Sequence, residues 1–405
     1  MRSLTNRAIH RYQYDGGIGT IKSGFEILIY KKPAELLLWD PVKDIEELSE
    51  NTTQVDSSYT TKIDYSGKLN NKPAENLSKA QGEFRIPDRY IYQISNTNLV
   101  GTTPLIKIGR KFLDPTTVGC DNDRKFAREV LHDDIGLISA LFESLNPKPS
   151  SKNIESAFLL SSNRTGIPQW FCETLPRLKR YQTFLDKHNT DIKLLIPGNL
   201  RSVQKKGLEL LGYGQDDLIE LNDTKVSVDR LFITSHLLRR GHGEVSPSPQ
   251  EIQWLREQLL SAAPENNSQF SKRIYISRAD ANRRIVRNEE EVMDVLRPLG
   301  FESYEPGRYT LLEQIDMFNN ADIIVGPHGA GLTSLLFAEN ATVLEFLSNK
   351  KVPTYHFFLL SEELGLDYEY LLCEAIDCGT GTKPRHKDLE VDANKLHTYV
   401  NLLID

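Results

Sequence analysis

The chain has 405 residues, 39% of them hydrophobic and 26% charged, a composition that suits a globular protein with cores for two or three domains. Its net charge of -7 supplies no general attraction to nucleic acid or to an anionic membrane, and no apolar run approaches the ~20 residues that span a bilayer. Four cysteines, Cys120, Cys172, Cys373 and Cys378, are too few and too irregularly spaced for a disulfide framework or a four-thiolate zinc site, and read as free thiols in a reducing compartment. The first residues lack the apolar core of a signal peptide, so the expectation is a cytoplasmic protein without an integral membrane segment or a nucleic-acid partner. Asn-x-Ser/Thr triplets, one of them at Asn340, are taken as chance.

Residues 1–86 read as an N-terminal arm or accessory segment: residues 36–39, followed by Pro41, could form a strand, while 51–81 are polar and predict loose structure. From Tyr90 the short strand candidates YIYQI, NLVG and LIKIG, separated by turn residues, suggest a small β-rich unit. In IESAFLLSSNRTGIPQWFCETLPRLKRYQTFL, residues 157–160 read as a buried strand, 161–168 as a loop and the remainder as a helix. A helix starting near Gln169 puts Trp170, Glu173 and Arg177 on one face and Phe171, Leu175 and Leu178 on the other; Pro176 either kinks it or marks its true first turn. Glu173 and Arg177 are then a solvated charged face or, being at a strand-to-helix rim, ligand-facing groups.

IKLLIP, a helix-like stretch 200–211, LIELN and VSVDRLFITS alternate as in a parallel sheet with crossover helices. Residues 235–249 form a linker carrying His236 and His242. A second alternating block follows. QEIQWLREQLL is a helix and KRIYISR a strand. NEEEVMDVLRPLG is a helix with a capping box at Asn288 and Glu291 and a stop at Gly300. FESY is a strand, TLLEQIDMFNNA a helix with the box Thr310 and Glu313, YHFFLLSEELG a helix stopped at Gly365, and DYEYLLC a final strand.

Within that block, ADIIVGPHGAGLTSLLFAENATVLEF reads as strand, loop, helix, strand. Gly326, Gly329 and Gly331 permit backbone torsions and close approaches that let N–H groups surround an anion, and a helix from near Leu332 adds the positive end of its dipole. Tight packing alone is the plainer explanation of the glycines, and a satisfied structural histidine that of His328. The loop fits neither GxxxxGK[ST] nor GxGxxG with a following acid, which argues against an ATPase or dehydrogenase. Ser277 and Arg278 end one strand and residues 326–331 another, so they share a rim; Arg283, Arg284 and Arg287 lie in the loop after the first. Guanidinium groups beside such a loop suit a diphosphate, although Arg287 reads as a surface cation. Glu345 is a candidate for ribose hydroxyls or a rim acid, and no DxD-type acid pair ends a strand there, so no metal requirement is visible.

RIYISRADANRRIVRNEEEV, TLLEQIDMFNNADIIVGPHGAGLTSLLFA, VLEF and YHFFLLSEELGLDYEYL resemble the C-terminal half of glycosyltransferase family 61, in particular its bacterial capsular-polysaccharide members, and QWFCETLPRL resembles its N-terminal signature. The resemblance is collinear from about Tyr90 to Leu372 and absent from the first 85 residues. It implies an α/β fold of GT-B type, two Rossmann-like domains facing a cleft, here with a small β-rich N-terminal unit. The expected division is an arm at 1–86, an acceptor-side domain at 87–240, a nucleotide-sugar-binding domain at 241–375 and a helical tail at 376–405. It further implies an inverting, metal-independent transferase, without cofactor, moving a sugar from a UDP-sugar to a glycan or glycoconjugate hydroxyl. The donor would meet Ser277, Arg278, Arg283, Arg284, Gly326, Gly329, Ala330, Gly331, Leu332, Thr333 and Glu345; the acceptor side would carry Gln169, Trp170 and Arg177. Glu173 is the expected base and His328 the other candidate. The family pattern has His before the Trp, whereas this chain has Gln169, which cannot move a proton; a degenerate GT-B protein that binds a nucleotide or glycan without turnover is the alternative.

Overall fold

A computed structural model of the chain describes residues 49–69, 75–78, 80–100, 105–108, 111–113, 152–161, 166–222, 225–235, 238–240, 244–246, 248–264, 268–350, 355–376 and 387–404. The possible strand at 36–39, and Cys120, Cys378, His236 and His242, lie outside them. The architecture is mixed α/β with two main sheets.

The first sheet takes β1 (Asn51–Asp56), β4 (Arg89–Val100), β5 (Leu105–Ile108), β6 (Lys111–Leu113), β7 (Lys152–Leu159), β8 (Leu194–Pro197), β9 (Leu218–Leu221) and β10 (Lys225–Thr234), while β2 (Tyr59–Ile63) and β3 (Gly82–Ile86) form a separate hairpin. Its order is β6-β5-β4-β10-β7-β8-β9, with β1 on β4. Only β10, β7, β8 and β9 run parallel; β4 is antiparallel to β10, so the sheet is mixed rather than the parallel sheet that alternation predicts. YIYQI and NLV are one strand, not two, and Asn96 within it takes φ 53°, which Asn tolerates better than most residues. The polar stretch after residue 50 is also ordered, contrary to the expectation of loose structure. β1 needs only one inward residue, Val55, because its Thr-rich outer face meets solvent and its main chain pairs with β4.

The linker region holds a hairpin of β11 (Leu238–Arg240) and β12 (Glu244–Ser246). The second sheet comprises β13 (Arg273–Ile276), β14 (Phe301–Tyr304), β15 (Ile323–Pro327), β16 (Thr342–Ser348), β17 (Asp367–Ile376) and β18 (Asp388–Glu390) in the order β14-β13-β15-β16-β17-β18. All neighbours are parallel except β17 and β18. The central strands are apolar on both faces because helices cover both.

The regular helices are α1 (Leu178–His188), α2 (Ser202–Leu210), α3 (Pro249–Ala262), α4 (Glu289–Leu296), α5 (Leu311–Asn320), α6 (His356–Leu364) and α7 (Ala393–Ile404). α5 starts on the predicted capping box, Thr310 and Glu313, and Gly300 and Gly365 close their helical segments in the left-handed conformation. Asn288 differs. Instead of capping α4, its side chain bonds both main-chain groups of Val391, fastening the C-terminal segment to the sheet.

One apolar cluster runs through both sheets, from Phe158 and Leu194 through Trp170, Phe171 and Leu175 to Ile276, Ile324 and Phe358. A second lies between the other face of sheet two and α4 and α7. Among the described residues no helix is long and apolar enough to cross a membrane.

Candidate active site at the rim of the second sheet

β13 and β15 are parallel neighbours, so their carboxyl ends bring Ser277 and Arg278 beside the glycine loop, as the sequence predicts. The contact is close: a Cβ on Gly329 would fall 1.7 Å from Arg278 Nη1, so the guanidinium lies directly against the loop backbone. A Cβ on Gly326 would fall 2.9 Å from the Ile276 carbonyl. These glycines therefore serve close approach. None of Gly326, Gly329 and Gly331 has positive φ in the left-handed range, so the expected special torsions are not used, and Gly329 at φ 177° is simply extended. The segment after the loop, Ala330–Phe337, is a 3-10 rather than an α-helix. Its Leu332 N–H already bonds to the Gly329 carbonyl at 2.9 Å, which leaves only the N–H groups of the first two residues ahead of the ladder. Thr333 Oγ1 is buried there without a hydrogen-bond partner, and Leu332 is fully buried.

Arg278 is half-buried, its Nε has no hydrogen-bond partner, and Nη2 donates to the Arg283 carbonyl at 3.2 Å. Burial lowers its pKa, Asp280 opposes that, and Arg283 adds to it. Arg284 adopts φ 55° and donates from Nε to the His328 carbonyl at 2.9 Å, so the arginine loop and the glycine loop are tied together. A non-glycine residue in that left-handed region costs ~1–2 kcal/mol, which the carbonyl contact offsets. Arg283 is exposed on the same loop. Arg287 turns away and pairs with the buried Asp388 at 2.5 Å, a fastening between loop and β18.

His328 is 8% exposed, and its Nδ1 donates to Glu345 Oε1 at 2.5 Å while Phe357 packs 5.1 Å from its ring. Glu345, 1% exposed, accepts at its other oxygen from Tyr368 OH at 2.5 Å. Both carboxylate oxygens are thus turned inward, which corrects the expectation that Glu345 faces a ribose. Burial, followed by the charge of Glu345, pushes the Tyr368 hydroxyl well above its ordinary pKa, so it stays a donor. Tyr368 is absent from the sequence-based candidates. The available signal was the acid itself, because a Glu inside the apolar strand TVLEFLS must be paired to be buried.

The Gln169 to Arg177 region is no amphipathic α-helix. Ile167–Gln169 is one helical turn, Trp170–Thr174 a π-turn, Leu175–Arg177 a 3-10 turn, and α1 begins only after the kink at Pro176. The widened turn rotates Glu173 and Arg177 inward, and both are 2% exposed, so the solvated-face alternative is ruled out. Arg177 donates to the carbonyls of Ser161 at 3.2 Å and Thr174 at 3.4 Å. Burial and then Arg180 lower its pKa to about 9, with Glu173 opposing. Trp170 is buried with Nε1 unpartnered, and Gln169 is half-buried. This segment packs on the far end of the 3-10 stretch, where Phe171 meets its last residue, Phe337, edge-on at 6.4 Å. Beyond it lie Arg180, Glu251 and Arg89, all buried, with Arg180 bonded to Glu251. No local pattern announces this ion pair, whose members are far apart along the chain.

Among the described residues no group of three His, Cys, Asp or Glu is placed to hold a metal ion. Residues 168–344 match the model of the family described as glycosyltransferase 61. No curated protein matches the chain. Among solved structures, a mutant of a flavo di-iron protein from Thermotoga maritima is 15% identical, covers 78% of this chain and 96% of its own, and has a TM-score of 0.23, too low to bear on the fold.

Proposed function

We propose, from the premise that residues 168–344 make this chain a glycosyltransferase 61 protein, that it is an inverting transferase moving a sugar from UDP to a glycan or glycoconjugate hydroxyl. The observation that carries the reading is the Arg278 guanidinium against the Gly329 backbone, in the same turn as His328. The acceptor oxygen bonds to the anomeric carbon as that carbon's bond to the diphosphate oxygen breaks, and the diphosphate leaves with the electron pair. Configuration inverts. Arg278, Arg283 and Arg284 and the first N–H groups of 330–337 meet the growing negative charge, the role that other enzymes give to a metal. Ser277, Thr333 and the backbone of Ala330 and Gly331 complete the donor side.

The acceptor's proton goes to His328, whose Nδ1 is already committed to Glu345. Glu173, first choice from the sequence, is 2% exposed in the same buried region as Arg177, whereas His328 lies in the turn that the Arg278 guanidinium lines. We assign Glu173, Arg177 and Trp170 to shaping the acceptor side. In this reading the two sheets are the two halves of a GT-B molecule, 87–240 receiving the acceptor and 241–375 the donor. A non-catalytic nucleotide- or glycan-binding protein is the second reading, favoured by Gln169 in place of the family's His.

Thermal shifts with UDP, GDP, CMP, ADP and ATP, each with and without a divalent metal, test the donor site. A ligand at a hundred times its Kd stabilises by about 2.7 kcal/mol. A shift with UDP and no metal, followed by transfer from a UDP-sugar, supports the proposal; no shift with any nucleotide overturns it. His328→Gln should abolish transfer with UDP binding kept. If Glu173→Gln does so and His328→Gln does not, the base is Glu173.

A further inference from the structure

Glu345 is a charged group in the middle of a buried strand whose inner residues are otherwise apolar, 1% exposed, with each oxygen occupied by one donor. Those donors come from different elements. His328 lies just past β15, and Tyr368 lies on β17, diagonally across from Glu345, whose direct register partner is Tyr370. A carboxylate so placed needs both partners, because an unpaired buried oxygen costs more than an ordinary hydrogen bond returns. A purely structural clamp between β16 and β17 would use Tyr368 and have no need of a histidine in the catalytic turn. The imidazole makes the difference. A carboxylate accepting at Nδ1 requires the proton on Nδ1, which leaves the lone pair of the neutral ring on Nε2.

We infer that Glu345 and Tyr368 are positioning residues: Tyr368 holds Glu345, and Glu345 holds His328 as the Nδ1–H tautomer, so that Nε2 is the atom that takes the acceptor proton. The inference rests on the transferase reading only in this last step; the tautomer is a property of the protein alone. Phe357, 5.1 Å from the imidazole, limits its rotation, so the orientation has two supports. Arg284, bonded to the His328 carbonyl, fixes the same residue from the main chain. Tyr368 has burial and Glu345 to keep it protonated, so it donates and does not compete for the histidine proton.

The test uses the full chain labelled with 15N-histidine, its His328 signals identified by their loss in His328→Gln. Long-range 1H–15N spectra should show Nδ1–H for wild type and Nε2–H, or a mixture, for Glu345→Met, which removes the acceptor at similar volume. Transfer should fall by about 100-fold or more in kcat for that variant, with UDP affinity unchanged within about threefold. Tyr368→Phe should keep the fold and the tautomer but lower kcat by about tenfold without moving the donor KM. Wild-type His328 found as Nε2–H overturns the inference whatever the activity. So does Glu345→Met or Tyr368→Phe with full kcat. The spectra need no substrate, so a wild type that transfers no sugar would sink the transferase reading while leaving the tautomer assignment to be decided on its own.

Discussion

Glu251→Gln tests whether the buried ion pair beneath the segment 170–177 is held by charge. Glu251 is 1% exposed at the third position of α3, where it bonds back to the Ser248 main chain at 3.0 Å while Ser248 Oγ accepts from its N–H at 3.3 Å. Gln can keep its carbonyl oxygen on the Ser248 N–H and so preserve the box, but its amide N–H2 then faces Arg180, so the substitution removes the charge together with the acceptor that Arg180 uses. Burial pushes the Glu251 carboxyl up, but Arg180, Arg89 and the hydrogen bonds outweigh it and hold the pKa at about 2 against an ordinary 4.5. That drop corresponds to roughly 3 kcal/mol. Because the folded value lies below the unfolded one, the contribution is complete above pH 4.5 and is lost as the pH falls towards 2. Urea unfolding at pH 7, followed by circular dichroism, should therefore find the variant weaker by about 3 to 5 kcal/mol, since Arg180 and Arg89 are left as buried cations. At pH 3 the gap should close substantially. A gap that is absent at pH 7, or the same at both, would refute the charge argument.

Arg278→Ala should weaken UDP binding by about 1.5 to 3 kcal/mol in calorimetry, the value of a charge-assisted bond, and equal affinity would remove Arg278 from the donor site. Gly329→Ala should do the same by another route, because the new methyl carbon would occupy the place of Arg278 Nη1, 1.7 Å away. Burial, then Asp64 and Asp367, raises the Glu362 carboxyl to about 7. Its folded pKa lies above the unfolded 4.5, so its contribution is lost as pH rises from 4.5 through 7; Glu362→Gln should gain stability relative to wild type between pH 5 and pH 8, and a pH-independent difference would contradict this.

Local chemistry was what the sequence displayed best. The capping box at Thr310, the stops at Gly300 and Gly365, and the strand-loop-strand order around His328 all follow from contacts within a few residues, and the structure has them. The shared rim of Arg278 and Gly329 was legible too, because parallel strands force their carboxyl ends together. What failed were inferences across distance. The π-turn at Trp170–Thr174 is invisible to a 3.6-residue period, so of the two readings left open for Glu173 and Arg177 the solvated face was an artefact of assuming a regular helix. The strands after residue 50 were missed because paired edges draw on main-chain hydrogen bonds, which leave little trace in composition.

Three of the buried carboxylates show the long-range order that the sequence conceals. Glu251 binds Arg180, Glu345 binds His328 and Tyr368, and Glu369 binds Tyr65 OH at 3.1 Å together with the main chain of Lys68 and Leu69. The last joins the N-terminal strands, which begin on the first sheet, to β17 of the second, and Tyr65 also packs 6.0 Å from Phe358 and Tyr370. This bears on the family match itself. The matched span stops at residue 344, one position before Glu345 and well short of Tyr368 on β17. His328 is therefore inside the region that defines the family, while the groups that fix its ring are outside it, on a strand anchored by residues near the start of the described chain. A fragment cut to the matched span would keep every residue of the glycine loop and lose Glu345 and Tyr368, the two groups that hold its histidine.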